Sequence, residues 1–329
     1  MRYTALLFLA SPLACSQIPV SVPEPVRAVN FTRETNACYI ASALQAVIAL
    51  KPWREYIFSY PPATSCVYDK DLLKALQTFI NNYAIISTTS DVKSINLNPL
   101  YRMMQQKSIV THCKFDDPLD FLKKLNTGLT KAERCDIFDI FKFSITETMT
   151  TDKTSESQLI TPEPIIGISG RSLFDGFKAS FNFKVDNVNV QWRFISPPNA
   201  LCIHCIQDET FGKDFSASIQ PNIDIAQLCQ DTAQLFTRYK LKSVLWRSKV
   251  HLIVYVTYGN SWYLCDDLKP ACSIPQNAPG DLKRGNITYG DWGVFYPLIC
   301  LYERILPSPP APTDAFIDLN SSLQLLGMS

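Results

Sequence analysis

Cys38 lies near the start of an apolar stretch, TNACYIASALQAVIAL, at residues 35–50. Apolar residues recur from Ile40 at helical spacing, so one interpretation makes Cys38 a small apolar residue of a buried helix face. Asn36, just before the first turn, favours a second interpretation, in which Cys38 lies among free N–H groups at the positive helix end. A thiol in that field ionises more readily and becomes a nucleophile if a base is available. These residues alone leave both interpretations open.

A base for such a thiol is suggested by the surroundings of His251. It opens the apolar run HLIVYV, the turn TYGNS follows, and the returning run WYLCDD ends in Asp266 and Asp267. In a hairpin the end of the second strand returns beside the start of the first, so Asp266 can reach the imidazole of His251. A base oriented by a carboxylate is what a thiol nucleophile requires, although a surface histidine beside surface acids would show the same pattern. The candidate catalytic residues are therefore Cys38, His251 and Asp266, with Asp267 as the alternative orienter.

The other two histidines have less suggestive contexts. His204 lies in NALCIHCIQ, between Cys202 and Cys205, and that CxxC motif invites a zinc interpretation. No second cysteine pair follows at ligand spacing, and the run is typical of a buried strand entered from a proline turn. We interpret His204 as a core residue, find nothing suggestive around His112, and expect neither a metal nor another cofactor.

These candidate residues need elements to position them, and the periodicity of the chain changes near residue 137. Before it, helical spacing predicts a helix from Ala37 to about Lys51 that Pro52 stops, a second over 70–83, and a third over 116–129 capped by Asp116 or Asp117. After it, short apolar runs of strand type predict a mainly antiparallel sheet, with the polar segment TTDKTSESQ as a hairpin tip. The fold class is therefore α+β.

Charge and cysteine usage limit the partners and the compartment. Lys plus Arg (31) nearly balance Asp plus Glu (30), and no basic run is interleaved with aromatic residues, so nucleic acid is not an expected partner. The 11 cysteines are odd in number and scattered, which is typical of reduced thiols and not of a disulfide framework.

Two of the sequence motifs resemble those of the ubiquitin-specific proteases, a family of cysteine isopeptidases. NACYIASALQ is similar to the family's cysteine box, Asn-Thr-Cys-Tyr-Met-Asn-Ser followed by Leu-Gln. DDPLDFLKKL is similar to its Gln-Asp-Ala-x-Glu-Phe-Leu helix. The residues that match in the two motifs are Asn36, Cys38, Tyr39, Ser42, Leu44, Gln45, Asp117, Asp120, Phe121 and Leu122.

Three further motifs follow in the family's order. PPNALCIHCIQ resembles the Leu-Pro-x-x-Leu-x-x-His-Leu strand, YKLKSVLWRSKVHLIVYV with GNSWYLCDD resembles the histidine box, and YPLICLYER resembles the closing strand. Together they imply a papain-like fold, in which a helical thumb carries Cys38 and a sheet palm carries His251 and Asp266. The tail of ubiquitin would lie between thumb and palm.

The chain also departs from the family's pattern. Arg33 stands where the family has an asparagine that helps to hold the oxyanion, so Asn36 and the backbone N–H of Cys38 are the candidate donors. WRSKV replaces the glycine-rich segment before the histidine, and the paired CxxC zinc ligands of the fingers are missing. We expect a compact, zinc-free relative with reduced fingers.

The resemblance implies hydrolysis of isopeptide bonds at the C-terminus of ubiquitin, with ubiquitin or ubiquitinated proteins as partners. Two alternatives stay open: an isopeptidase for SUMO or another ubiquitin-like modifier, and an inactive relative that only binds ubiquitin. The second is motivated by Arg33 and by the altered approach to His251.

The ends of the chain predict four segments. Residues 1–16 resemble a secretory signal and are too short for a stable membrane span, 17–26 form a proline-spaced linker, 27–305 the catalytic domain, and 306–329 a proline-rich flexible tail. The sequons at Asn30, Asn286 and Asn320 would be glycosylation acceptors in a secreted protein. Because ubiquitin chemistry belongs to the cytoplasm and nucleus, we expect the working site there, whereas the leader allows secretion.

Overall fold

A computed structural model gives the fold of the protein. The residues that it describes are 22, 24–32, 37–59, 69–89, 91, 93–111, 116–129, 137–152, 154–162, 164–168, 172–206, 218–230 and 236–306. The leader at residues 1–16 and almost all of the tail at 306–329 lie outside these residues.

Helices dominate the first half of the described chain, as the periodicity predicts. They are α1 (Cys38–Ile48), α2 (Lys51–Ser59), α3 (Lys70–Thr88), α4 (Asn98–Gln106) and α5 (Pro118–Leu129), followed in the second half by α6 (Leu173–Ala179) and α7 (Ala278–Arg284).

The boundary between α1 and α2 differs from the prediction. The helix predicted to reach Lys51 ends at Ile48 instead, and Pro52 lies in the first turn of α2. A proline is tolerated there because the backbone N–H groups of a first turn have no partner within the helix. Pro52 thus belongs to the start of a second helix and does not end the first.

The two other predicted helices form, and each begins next to an aspartate. Asp69 accepts a hydrogen bond from the N–H of Leu72 at 3.0 Å, and α3 then continues beyond the predicted end to Thr88. Asp117 accepts from the N–H of Leu119 at 2.8 Å at the start of α5, which confirms it as the capping residue.

All the strands except β1 and β2 lie in the second half of the described chain, where most of them pair in antiparallel sheets. The strands are β1 (Asn30–Thr32), β2 (Ser94–Asn96), β3 (Ser144–Thr150), β4 (Ser155–Ile160), β5 (Ile165–Ile168), β6 (Asn182–Val185), β7 (Val188–Ser196), β8 (Ala200–Cys205), β9 (Asn222–Asp224), β10 (Arg238–Arg247), β11 (Leu252–Tyr258), β12 (Ser261–Cys265), β13 (Ile287–Thr288) and β14 (Val294–Arg304).

The largest sheet has the order β12-β11-β10-β14-β8-β5, with β9 beside β10 and β13 beside β14. A four-stranded sheet has the order β4-β3-β7-β6, and β1 pairs with β2 in parallel. The hairpin predicted at TTDKTSESQ exists, but residues 155–160 pair with β3 as a strand, so only its start is the tip.

The helix that begins with Cys38 is buried on all sides between the large sheet and α5. All eleven residues of α1 are buried. The Ser42 hydroxyl donates to the carbonyl of Leu252 at 3.3 Å, and the Ser243 hydroxyl donates to the carbonyl of Ala46 at 3.2 Å. Since Ser42 follows Cys38 by one turn and Leu252 follows His251, these bonds hold the start of the helix beside the start of β11.

Side chains on both faces of the large sheet are covered, so the palm contains two apolar clusters. Successive residues of one strand alternate between the clusters: Leu245 packs with the helices of the first half, and Val244 packs with α6 and α7.

Within the described residues, no helix is both long and apolar enough to cross a membrane. The architecture confirms the predicted α+β class, with helices followed by a mostly antiparallel sheet.

Candidate active site

Cys38 is the first residue of α1, and its side chain is 5% exposed. The residue before it, Ala37, has no side chain that could cap the helix, and no side-chain hydrogen bond is made from that position. The thiol is therefore placed beside the backbone N–H groups of the first turn, where the helix dipole favours negative charge.

The hairpin of β11 and β12 brings His251 and Asp266 together. Tyr258 pairs with Ser261 across a two-residue turn, in which Gly259 adopts φ +59°, a left-handed conformation that favours glycine. His251 immediately precedes β11 and Asp266 immediately follows β12. The Nε2 atom of His251 and the Oδ1 atom of Asp266 are 2.9 Å apart, and both side chains are buried. This contact confirms that Asp266 reaches the imidazole.

The imidazole of His251 is also hydrogen-bonded to Cys38. Because Nε2 is used by Asp266, the second ring nitrogen, Nδ1, is the one that serves the thiol. Burial alone lowers the pKa of His251, but the hydrogen bonds to Asp266 and Cys38 and the charges of Asp266 and Asp267 outweigh it and raise this pKa from 6.5 to about 9. The site is thus built to keep the imidazole protonated beside a sulfur.

Asp266 is held in place by its own loop and by a distant strand. Its Oδ1 accepts a hydrogen bond from the N–H of Leu268 at 3.0 Å, and its carbonyl accepts from the side-chain amide of Asn30 at 2.7 Å. Burial raises the pKa of this carboxyl, but its bonds to His251 and Leu268 outweigh burial and lower the pKa. Asp266 is therefore a charged carboxylate next to the imidazolium of His251.

Asn30 is a site residue that sequence reasoning missed. In the sequence it stands out only as part of a sequon, yet the residue is 2% exposed and its side-chain amide bonds to the loop that carries Asp266. The sequon at this position is therefore not a surface acceptor in the folded protein. No signal in the sequence identifies this contact, because 236 residues separate the two partners.

Three aromatic residues that the sequence analysis does not single out lie around His251 and Asp266. The ring of Trp292 lies over His251, with centroids 5.0 Å apart and planes 34° apart, and Phe295 contacts the imidazole edge-on. Tyr289 lies beside the carboxylate: burial and the negative charge of Asp266 both raise its pKa. These rings shield the ion pair from water, which strengthens its electrostatic attraction.

The two aspartates act on the imidazole in different ways. Asp266 makes the hydrogen bond to Nε2, whereas Asp267 acts on His251 through its charge. Among the described residues, His251, Asp266 and Asp267 also form a group of three potential metal ligands within 4.8 Å of one another. Since His251 and Asp266 are already bonded to each other, we assign them to proton chemistry.

His204, Cys202 and Cys205 lie away from this site, in the sheet. His204 lies in β8 opposite Ile299, and burial lowers its pKa. Cys202 packs into one apolar cluster and Cys205 into the other, so the two sulfurs of the CxxC motif face opposite sides of the sheet. Asn36, Arg33 and His112 lie outside the described residues.

The protonation of His251 is directly testable by NMR of labelled imidazole carbons. We expect the His251 resonance to titrate with a pKa near 9, and the His204 resonance below 6.5. Because the folded-state pKa of His251 is raised, its contribution to stability is complete below about pH 6.5 and is lost as the pH rises to about 9.

The variants His204→Gln and His112→Gln assign the three signals, because each removes one of them. A His251 resonance that titrates at or below pH 6.5 would contradict the hydrogen-bonded arrangement.

A thiol at a helix N-terminus, hydrogen-bonded to an imidazole that a carboxylate contacts, is the arrangement of a cysteine hydrolase. The helices followed by mostly antiparallel strands are consistent with a papain-like fold. Residues 29–276 match the family model of the ubiquitin carboxyl-terminal hydrolases, which covers most of the chain. The chain belongs to this family, whose members are cysteine-type ubiquitin hydrolases. The match confirms the family resemblance and includes four of the five motifs, since the closing-strand motif YPLICLYER lies beyond residue 276. No curated protein shows a significant match to the chain.

Proposed function

We propose that the protein removes ubiquitin from lysine side chains, with Cys38 as the nucleophile, His251 as the acid and base, and Asp266 as the orienter. Membership of the family makes ubiquitin or ubiquitinated proteins its substrates. The observation that supports these roles is the continuous chain of contacts from Cys38 through His251 to Asp266 at the start of a helix.

In the first half-reaction, the Cys38 sulfur attacks the carbonyl carbon at the C-terminus of ubiquitin. The C–N bond to the lysine breaks, and the imidazolium of His251 donates its proton to the leaving amine. The product is a thioester between Cys38 and ubiquitin. The raised pKa of His251 supports this step, because the proton is on the ring when the amine needs it.

In the second half-reaction, neutral His251 takes a proton from water, and the resulting hydroxide attacks the thioester carbonyl. The C–S bond breaks, and ubiquitin leaves as its free acid, which gives its proton to the solvent. The Cys38 thiolate then again faces the protonated ring of His251. Asp266 keeps one tautomer and one ring orientation through both halves.

The oxyanion of each tetrahedral intermediate needs donors at the start of α1. The backbone N–H of Cys38 is one, because the first N–H groups of a helix have no partner within it. We assign the role of the second donor to Asn36, two residues before Cys38. It would replace the asparagine that the family carries at the position of Arg33 in this chain.

We further propose the cytoplasm or nucleus as the working compartment, because ubiquitinated substrates reside there. The burial of Asn30 supports this, since a glycan at that sequon would displace the amide that holds the Asp266 loop.

Covalent capture by activated probes tests the substrate and the nucleophile together. Ubiquitin and SUMO carrying a thiol-reactive C-terminus are offered to the reduced protein, and the modified residue is mapped by mass spectrometry. We expect ubiquitin to be captured, and the adduct to lie on Cys38 although its side chain is only 5% exposed.

Cys272 provides an internal control, because it is a thiol more accessible than Cys38 and lies near the loop that carries Asp266. An adduct on Cys272 would show that exposure and not activation governs the labelling. Preferential capture of SUMO would reassign the modifier, and saturable ubiquitin binding without capture would favour an inactive relative.

A further inference from the structure

Two cysteines meet at the base of the loop that carries Asp266. Cys265 is the last residue of β12 and is buried, whereas Cys272 is partly exposed. Their sulfur atoms are 2.6 Å apart. Neither thiol has a part in the proposed ubiquitin chemistry, so their contact needs its own explanation.

The backbone explains why the two side chains face each other. Leu264 and Ser273 exchange both backbone hydrogen bonds, at 2.7 and 2.9 Å, as an antiparallel pair. One residue further along this antiparallel pairing, Cys265 lies directly opposite Cys272. This is a position at which the two backbones make no hydrogen bonds with each other. In such pairs the Cα atoms are about 4.5 Å apart, which falls in the range that a disulfide spans.

Another thiol contact in the protein lacks this geometry. Cys205 is hydrogen-bonded to Cys300 on the neighbouring strand, but Cys300 pairs in register with Ile203. Cys205 and Cys300 are thus diagonal neighbours, whose Cα atoms are about 7–8 Å apart, and both side chains are fully buried. Proximity of sulfurs alone therefore does not distinguish the Cys265 pair, whereas its register and its access to solvent do.

The segment between the two cysteines is the support of the catalytic carboxylate. The N–H groups of Leu268 and Lys269 donate to Oδ1 and to the carbonyl of Asp266, respectively. The amide of Asn30 bonds to the same loop at both Asp266 and Lys269. A cross-link between Cys265 and Cys272 would close this loop into a small ring around Asp266.

We propose that Cys265 and Cys272 are a disulfide site, which low-molecular-weight disulfides such as oxidised glutathione convert to the cross-linked form, thereby fixing the loop that carries Asp266. The Cys272 thiol first attacks the small disulfide and releases one small thiol, so that a mixed disulfide forms. The Cys265 sulfur then attacks the Cys272 sulfur and releases the second small thiol. Two protein thiols are oxidised, and one small disulfide is reduced to two thiols.

The order of the two steps follows from exposure. Cys272 is the accessible partner, whereas Cys265 is 4% exposed, and its burial raises its thiol pKa. A small disulfide therefore reaches Cys272 first, and the contact between the sulfurs allows Cys265 to complete the bond.

Redox mapping of the full chain tests the site without any ubiquitin substrate. The native protein is equilibrated in glutathione buffers of increasing oxidised fraction, free thiols are alkylated, and the denatured chain is cut before aspartates. Such cuts at Asp266 and Asp267 separate Cys265 from Cys272, so only a disulfide keeps their peptides together. We expect the linked peptides to accumulate with the oxidised fraction, whereas Cys205 and Cys300 stay unlinked.

Three results would overturn the proposal. In the first, both Cys265 and Cys272 are alkylated in every glutathione buffer. In the second, the two peptides are linked only after the chain is denatured. In the third, Cys272 is found only as a mixed disulfide with glutathione. Cys38 lies on a different peptide, so the disulfide mapping does not depend on whether the enzyme is active. A failure of the disulfide proposal is therefore recognised separately from a failure of the proposed ubiquitin hydrolysis.

Hydrogen exchange tests the effect on the loop. In the linked protein we expect the amides of Leu268 and Lys269 to exchange at least about fivefold more slowly than in the reduced protein, since the cross-link restricts the open loop. Cys272→Ser should abolish this difference, and Cys229→Ser, which removes a thiol of the other cluster, should retain it. Equal exchange in both redox forms would overturn the loop-fixing role.

Discussion

Replacing Cys38 with alanine is expected to lower kcat/KM for a ubiquitin C-terminal amide substrate by at least about 10⁴-fold, to the detection limit. No other group of the site can form the thioester, because His251 and Asp266 act on protons. The substitution removes a single sulfur from the start of a buried helix, so it should change the free energy of unfolding by no more than about 1 kcal/mol.

Cys229→Ala is the matched control, because it makes the same chemical change at another buried thiol. Cys229 packs in the cluster that α6 and α7 cover and has no part in the site, so this variant should keep wild-type activity. A second readout comes from His251: its hydrogen bond to Cys38 helps to raise its pKa, so Cys38→Ala should lower that pKa. Cleavage that survives in Cys38→Ala would disprove the assigned nucleophile.

The parts of the site that were predictable from the sequence are those that local structure creates. His251 and Asp266 meet because one hairpin joins them, and the runs HLIVYV and WYLCDD on either side of the TYGNS turn specify that hairpin. The placement of Cys38 follows likewise from one apolar stretch with helical periodicity. Local patterns therefore place the proposed nucleophile at the start of its helix and the proposed base immediately before its strand.

The parts that were not predictable depend on contacts between distant segments. Asn30 bonds to the loop after β12, and Trp292 lies over His251 from the segment before β14. Nothing in the sequence around these residues distinguishes them from an ordinary sequon or a surface aromatic. Pro52 shows a different reason, since a proline fits both the end of one helix and the start of the next, and tertiary packing selects between them.

The sequence already favours Asp266 over Asp267 as the orienter, and the 2.9 Å contact with His251 supports that order and leads to the second large expected effect. Asp266→Asn should lower kcat/KM by about 10²–10⁴-fold while the protein stays folded. An asparagine at this position can present its amide to Nε2, which selects the wrong tautomer and supplies no charge to stabilise the imidazolium. The pKa of His251 should fall below 9, so the alkaline decline of kcat/KM should move to lower pH.

Asp267→Asn is the matched control, because it removes the same charge one residue further along the loop. Asp267 raises the pKa of His251 through its charge and does not bond to Nε2, so its loss should leave the tautomer intact and reduce kcat/KM by no more than about tenfold. The pH–rate profiles of the two variants therefore separate orientation from charge: only Asp266→Asn should lose activity at every pH. If Asp267→Asn were the more damaging change, the orienting role would pass to Asp267, and the 2.9 Å contact between His251 and Asp266 would be structural.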